Sequence, residues 1–454
     1  MAGLHRIHHL EVVVLVGLAA CACLSTTGYA QPGAETFGRD VYWNATPNDV
    51  NNLLSGMRDA AGADFRMDIR RVSEISSDPD QNPVLYRSGH YRFAFTPEER
   101  QLLREYMLNG GMMIFNTGLG SLPFYRSVTN ELAMIFPEQP LQRLTADHPI
   151  FHSFYDVSSV EYAPGVYSET SFRGDQPWFE GIEINCRIVA LVSRWCLAVG
   201  WQGEVDESYQ AYMPDSAFEL GVNILTYATS MRAWAQNAAH AMQFENLAET
   251  ASDHFTMGHI IYDGVWKTRH AGLSTLLHAF NQRTGIPVQF GLRELRLTDP
   301  NLPRFPVLYM TGHEHFTLQD AELQALRRYL EAGGLLFAEA CCGRRGFDQA
   351  FRQMVRRLFP DRSLQQLPED HVLFSAPNDV SWMGVTPVLM ERLGMASIPP
   401  RVEALVHADN VAIVYSPFGL AGGWELSPSP YANAYNPASS TQLGENILMY
   451  SITH

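Results

Sequence analysis

One constant spacing constrains this chain more than any other feature. Pro83-Val84-Leu85-Tyr86 recurs as Pro306-Val307-Leu308-Tyr309, 223 positions later. The same spacing relates Gly89-His90 to Gly312-His313, Gly110-Gly111 to Gly333-Gly334, Asp147-His148 to Asp370-His371 and Gly200-Trp201 to Gly423-Trp424. It holds from Trp43, matched by Trp266, to Tyr227, matched by Tyr450. A spacing kept over that distance means a duplicated domain whose loops kept their lengths, so both copies share every turn and crossover. A repeat this long is a whole domain and not a solenoid unit. The copies are expected at 37–234 and 255–454, joined by a helical linker at 235–254.

Read together, the copies describe one unit. A short apolar run (Val41-Tyr42-Trp43; Gly264-Val265-Trp266) precedes a helix marked by Leu273, Leu276, Leu277 and Phe280, with Gly62 or Gly285 as its stop. Strands are expected at Pro287-Val288-Gln289-Phe290 and Pro306–Met310. Thr96-Pro97-Glu98-Glu99 starts a second helix, with a capping threonine, proline in the first turn and acidic residues against the dipole. The Gly-Gly pair then leads into a continuous apolar strand, Met112–Phe115 or Leu335–Ala338. A helix over Phe347–Leu358, a late strand over Ile188–Ser193 or Val411–Tyr415, and a closing helix complete the unit. Apolar strands without alternation, separated by helices, belong in parallel sheets covered on both faces. The fold class is α/β: two tandem domains, each a mostly parallel, doubly wound sheet.

The first thirty residues read as an export signal. Val12 to Ala20 is apolar but shorter than the about 20 residues a membrane span needs, as a secretory core region is. Gly28-Tyr29-Ala30 places small residues ahead of Gln31, so cleavage after Ala30 is expected, leaving a periplasmic or extracellular protein with no transmembrane span. Leu18-Ala19-Ala20-Cys21 resembles a lipoprotein box, which makes an anchor through Cys21 the alternative. Of six cysteines, Cys21 and Cys23 lie in this segment; Cys186, Cys196, Cys341 and Cys342 are too few and too clustered for a disulfide framework. The net charge of -16, with no basic run, excludes nucleic acid as a partner.

Ligands of an open parallel sheet bind outside the carboxyl ends of its strands. In the second copy those ends carry Gly312-His313-Glu314-His315, Glu339-Ala340-Cys341-Cys342-Gly343 and Ser416-Pro417-Phe418-Gly419; in the first, Gly89–Arg92, Asn116–Gly120 and Ser193–Cys196. A cysteine at a strand-to-helix turn is a candidate nucleophile. Cys341 or Cys342, with His313 and Glu339, therefore forms the candidate catalytic set, against the plainer reading of two half-buried small residues or a vicinal disulfide. His313, His315 and Glu339 are metal-ligand types, but His313-x-His315 is short and no third ligand is fixed, so neither metal nor cofactor is expected. Candidate ligand contacts are His90, Asn116, His315, Ser416 and Trp424. Because His90 and His313 share one place, a structural role is expected for both. The Asp-His pairs read as capped loops, and Trp201 and Trp424 as core residues against the alternative of an aromatic platform with Tyr431 and Tyr435. No phosphate loop, dinucleotide fingerprint or Gly-x-Ser-x-Gly elbow is present.

Tyr309-x-x-Gly312-His313-x-x-Phe316, Leu326-Arg327-x-Tyr329-Leu330-x-x-Gly333-Gly334, Phe359-Pro360, Asp370-His371 and Val414-Tyr415-Ser416 with Gly423-Trp424 resemble the bacterial domain of unknown function 4159, grouped with class I glutamine amidotransferase-like and trehalose-utilisation proteins. The resemblance covers nearly the whole chain beyond the signal, twice. It implies flavodoxin-like sheets, with a nucleophile at the elbow where Cys341-Cys342 lie and a histidine after the late strand. Here that place reads Ser416-Pro417-Phe418-Gly419-Leu420, so glutaminase chemistry does not transfer. The expected function is non-catalytic binding of a carbohydrate-like small molecule or an envelope protein partner; the alternative is a hydrolase-like site in the second copy.

Overall fold

The computed structural model describes residues 10–16, 46–63, 65–241, 255–269, 271–286, 288, 293–407, 410–426 and 428–453. Cys21, Cys23, the cleavage point after Ala30 and Trp43 lie outside them. The chain divides into two units, Met1–Ala235 and Gln236–His454.

The first unit runs β1 (Leu10–Val16), α1 (Asp49–Ala61), β2 (Phe65–Arg71), β3 (Val84–Gly89), α2 (Pro97–Leu108), β4 (Met112–Thr117), α3 (Leu122–Ile135), β5 (Gln142–Arg143), α4 (Pro164–Ser168), β6 (Phe179–Ile184), β7 (Arg187–Ser193), α5 (Ala198–Gln202) and α6 (Pro214–Ala241). Its sheet has the order β2-β1-β3-β4-β7-β6-β5, with the β7–β6 and β6–β5 pairs antiparallel and the other pairs parallel.

The second unit runs β8 (Met257–Ile261), α7 (Gly272–Thr284), β9 (Arg293–Arg296), β10 (Val307–Gly312), α8 (Asp320–Glu331), β11 (Leu335–Ala340), α9 (Arg345–Leu358), β12 (Gln365–Gln366), β13 (Met383–Gly384), α10 (Pro387–Leu393), β14 (Ser397–Ile398), β15 (Glu403–His407), β16 (Asn410–Ser416), α11 (Ala421–Trp424) and α12 (Pro437–Thr453). Its main sheet, β9-β8-β10-β11-β16-β15-β12, repeats the first strand for strand, and β13 and β14 add a small hairpin. The registers agree as well: Val84 faces Met112 and Val307 faces Leu335.

Burial explains why these strands lack alternation. Along β10 and β11, Leu308, Met310, Leu336 and Ala338 pack with Phe347, Phe351 and Leu326 from α9 and α8. Their neighbours Val307, Tyr309, Leu335 and Phe337 pack on the other face with Leu276, Phe280 and Ile447 from α7 and α12. Each face is covered, so β10 and β11 are apolar up to their carboxyl ends, where Thr311 and Glu339 stand. The helix signals act as read. Gly62 and Gly285 close α1 and α7 in the left-handed conformation (φ 65° and 70°), and Thr96 with Glu99 forms a capping box on α2.

Three features add to the sequence reading. The first strand of the second copy is Met257–Ile261, upstream of Gly264-Val265-Trp266, which turns back so that Trp266 packs on His259. Of the strand expected at 287–290 only Val288 is among the described residues, and it makes an isolated bridge to Phe255; a strand, β9, follows at Arg293–Arg296. Last, β6 forms an antiparallel hairpin with β7 through Asn185 and Cys186, both with positive φ, as a tight hairpin turn of this hand requires.

The amino end breaks the common spacing. Leu10–Val16, inside the expected signal, pairs between β2 and β3. In the second sheet Met257–Ile261 holds that place, and its counterparts at the 223 spacing are residues 34–38, outside the described ones. Among the described residues no helix is long and apolar enough to cross a membrane.

One side chain per unit ties the closing helix to the loop it covers. Asn223 accepts from the Phe154 and Tyr155 amides and donates to the Phe151 and Tyr155 carbonyls. Its counterpart Asn446 accepts from the Asn378 amide and donates to the Leu373 and Asn378 carbonyls. Both are fully buried. Asn223→Ala and Asn446→Ala each strand several buried main-chain groups, and each is expected to destabilise its unit by about 3 kcal/mol. The check is a lower denaturant midpoint with an unchanged slope for that unit's transition.

Candidate functional site

At the carboxyl edge, most residues that the copies share turn out to hold the backbone. His148 and His371 each accept, through Nδ1, the amide of the residue two places on, Ile150 at 3.1 Å and Leu373 at 3.2 Å. They lie on Tyr227 and Tyr450, so the Asp-His pairs are capped loops. Trp201 and Trp424 donate their indole N–H to the Ala217 and Ser440 carbonyls from within the core. Trp424 is therefore packing and not a ligand platform. Ser193 and Ser416 donate to the carbonyls two residues on, Trp195 and Phe418, both at 2.6 Å. That consumes the Ser416 hydroxyl in its own turn.

The polar group near the end of the fourth parallel strand also acts on the scaffold. Asn116 in β4 accepts the Leu197 amide at 2.7 Å, donates to Ser88 and lies 3.6 Å from the Cys196 sulfur. Glu339 in β11 occupies the same place. Its Oε2 accepts the amides of Leu420 and Ala421, and its Oε1 accepts the hydroxyls of Tyr309 at 2.7 Å and Thr311 at 3.2 Å. Burial pushes the Glu339 carboxyl up, opposed by the Tyr309 hydroxyl and those two amides. With all four donors used inside the protein, Glu339 caps the start of α11 and orients no catalytic base. This corrects its place in the candidate catalytic set, and Asn116 likewise leaves the set of ligand contacts.

His313, Cys341 and Cys342 do converge. A ring nitrogen of His313 and the two sulfurs lie within 4.8 Å of one another, with the sulfurs 3.9 Å apart and not bonded as a disulfide. His313 and Cys341 are 1 % exposed, while Cys342 reaches the surface in part. His315 is exposed, two residues on, and is not in this group. At the positions that answer, by the 223 spacing, to Thr46 and Gln202, Arg269 pairs with Glu425 at 2.9 Å, both side chains buried, and a β-carbon on Gly422 would touch the guanidinium.

The first unit has a cleft in the corresponding region, of about 400 Å³. Thr46 and Gln202 replace Arg269 and Glu425; Gln202 still accepts the Asn48 amide at 3.0 Å, as Glu425 accepts that of Ala271. Ser88 and His90 form one wall, and Gly118 and Leu119 take the places of the paired cysteines. A β-carbon on Gly118 would approach the His90 ring at 2.7 Å. Glu204, Asp206 and Tyr209 line the mouth. Burial lowers the pKa of the His90 imidazole, partly offset by its hydrogen bond to Gly118, so the ring is neutral at pH 7. Burial likewise raises the Cys196 thiol, opposed by the Val199 and Leu119 amides, so this lining cysteine is not a thiolate. Asp49, which accepts from Thr46 at 2.8 Å, is held by burial at about 6. Sequence reasoning placed the Gly89–His90, Gly118–Leu119 and Cys196 side of this cleft at the edge, and missed the Thr46, Gln202 and Glu204 side, whose residues carry no motif.

The capping role of Glu339 is separable from catalysis. Glu339→Gln keeps an acceptor, as Asn116 does in the first unit, and is expected to cost about 1 kcal/mol. Glu339→Ala strands the Leu420 and Ala421 amides and the Tyr309 hydroxyl, and is expected to cost 3 kcal/mol or more, roughly. Calorimetric unfolding of both variants checks the difference; equal losses would remove the capping assignment.

No curated protein matches the chain. One family model matches it twice, over residues 31–229 and 256–452, which together exceed half its length. The chain thus belongs to the family of the domain of unknown function 4159, of which it carries a tandem pair.

Proposed function

We propose that this chain is an exported, non-catalytic binding protein whose first repeat takes a small, neutral, hydroxyl-rich molecule at the carboxyl edge of its sheet. The observation that carries the reading is the difference between the units: a cleft of about 400 Å³ in the first, and the buried Arg269–Glu425 pair in the second. That volume is within the range of small-molecule sites, roughly 300–1,000 Å³. Numbered among themselves, the parallel strands of each sheet run 2-1-3-4-5, which supports the flavodoxin-like reading. In that order the strand sequence reverses between β1 and β3, and both Thr46, ahead of α1, and Ser88 to His90, at and after the end of β3, lie at that point. Ligands of such sheets bind there.

The lining sets the ligand class. Glu204 and Asp206 offer carboxylate acceptors, and Ser88, neutral His90 and Gln202 can both donate and accept. No lysine or arginine is among the described lining residues, so an anion finds no counter-charge. A carbohydrate satisfies this set, with Tyr209 beside it as an apolar face. Saturation-transfer NMR with a panel of neutral mono- and disaccharides tests the reading, followed by calorimetry on the best binder. His90→Ala and Glu204→Gln are each expected to weaken binding about tenfold, since a hydrogen bond to a polar ligand contributes about 1–2 kcal/mol. Cys342→Ser, in the other unit, is expected to leave it unchanged. Absence of transfer from every sugar in the panel would falsify the ligand class.

Export rests on the apolar stretch Val12 to Ala20 and the small residues before Gln31. Intact-mass analysis of the protein from its native cell is expected to show a first residue of Gln31, or a lipid-bearing Cys21. A chain that retains its first thirty residues there rules export out.

A further inference from the structure

The geometry points to a metal site in the second unit, in which Cys341, Cys342 and His313 bind a thiophilic divalent cation of the zinc class. Two adjacent cysteines in extended chain direct their side chains to opposite sides. Here Cys342 has φ 56°, and the turn brings the two sulfurs to 3.9 Å without a disulfide, whose S–S bond is about 2.05 Å. In a tetrahedral zinc site with Zn–S of about 2.3 Å, the ligand sulfurs stand about 3.8 Å apart. The observed spacing meets that figure. A His313 ring nitrogen lies within 4.8 Å of both sulfurs, so three ligand atoms surround one point.

Charge favours the same occupant. Cys341 and His313 are nearly inaccessible, and two thiolates side by side in such a place repel each other. A dication neutralises them, with imidazole as a neutral third ligand, and binding releases the two thiol protons. The two loops that carry the ligands are tied to each other: Arg344 pairs with Glu314 at 2.8 Å, and the Phe347 amide donates to the His313 carbonyl at 3.0 Å. Both Glu314 and Arg344 are mostly buried, so the pair fixes the approach of His313 to the cysteines. The first unit keeps the turn (Leu119 has φ 47°) and the histidine but has Gly118 and Leu119 for the thiols, so only the second unit has the site.

Cobalt(II) reports on thiolate ligation through charge-transfer absorption. The full chain, fully reduced, is titrated with Co(II), and Zn(II) is then added to displace it. The expected result is one Co(II) per chain with thiolate charge-transfer intensity, lost on adding zinc. Cys341→Ser and Cys342→Ser are expected to abolish the band, and His313→Ala to weaken Co(II) binding at least tenfold. Cys196→Ser is expected to leave it intact. Circular dichroism accompanies each variant, and Cys342→Ser, at the least buried position, remains decisive if Cys341→Ser does not fold. No band in the reduced wild-type chain, or an equal band in folded Cys342→Ser, overturns the assignment.

Discussion

Each unit depends on one buried acceptor at the carboxyl edge of its central strand. The Oδ1 of Asn116 and the carboxylate of Glu339 take the first amides of α5 and α11, the short helices that follow the late strand. A helix start leaves its first amides without intrahelical partners, and burial makes that costly. The acceptor on the neighbouring strand meets the cost and also fixes where the late crossover lies. From that position follow the indole bonds of Trp201 and Trp424, the seat of the closing helices, and the distance between the loops at the edge. The same place serves with an amide in one copy and a carboxylate in the other. What is preserved is an oxygen at a point, not a residue type.

The units differ at many positions on this common frame, and a few of those exchanges reshape the edge. Residue 202 or 425 accepts the same backbone amide in both, through glutamine in one and glutamate in the other. The glutamate has a partner in Arg269, and the pair occupies space that the first unit leaves open between Thr46 and Gln202. A buried ion pair contributes little net stability over a well-packed apolar filling, since desolvation offsets most of the attraction. Its consequence here is steric. The first unit has threonine and glutamine at the same places, and a cleft of about 400 Å³ lies against them.

Much of this was legible in the sequence. The 223 spacing predicts duplicated connectivity, and the two sheets have the same strand order. Continuous apolar strands predict burial on both faces, and the alternation of β10 and β11 between two clusters is the physical form of that. The β6 hairpin was not legible, because Phe179–Ile184 mixes half-buried glutamates with buried residues and ends in a turn without glycine. Glu339 was legible as a buried carboxylate at a strand end, but its role was not. A catalytic acid and a helix cap look alike until the amides it accepts are placed. The cleft was legible on one side only: His90 and the Gly118–Leu119 loop lie at strand ends, whereas Thr46, Gln202 and Glu204 come from distant positions with no chemical signature of their own.

The turn after the fourth strand shows where scaffold ends and chemistry begins. Leu119 and Cys342 both adopt left-handed backbone, which costs a residue with a β-carbon about 1–2 kcal/mol. Were the strain a device for a nucleophile, the leucine copy would have relaxed it. It has not, because the next residue, Gly120 or Gly343, must approach Gln210 or Asn433 so closely that a β-carbon would collide. The contorted turn is thus a requirement of packing that both copies meet, at a point where the side chain is directed toward the edge. A leucine there lines a cleft, and a cysteine there meets its neighbour and a histidine. The backbone offers the position, and the identity of one or two side chains decides what chemistry the edge presents.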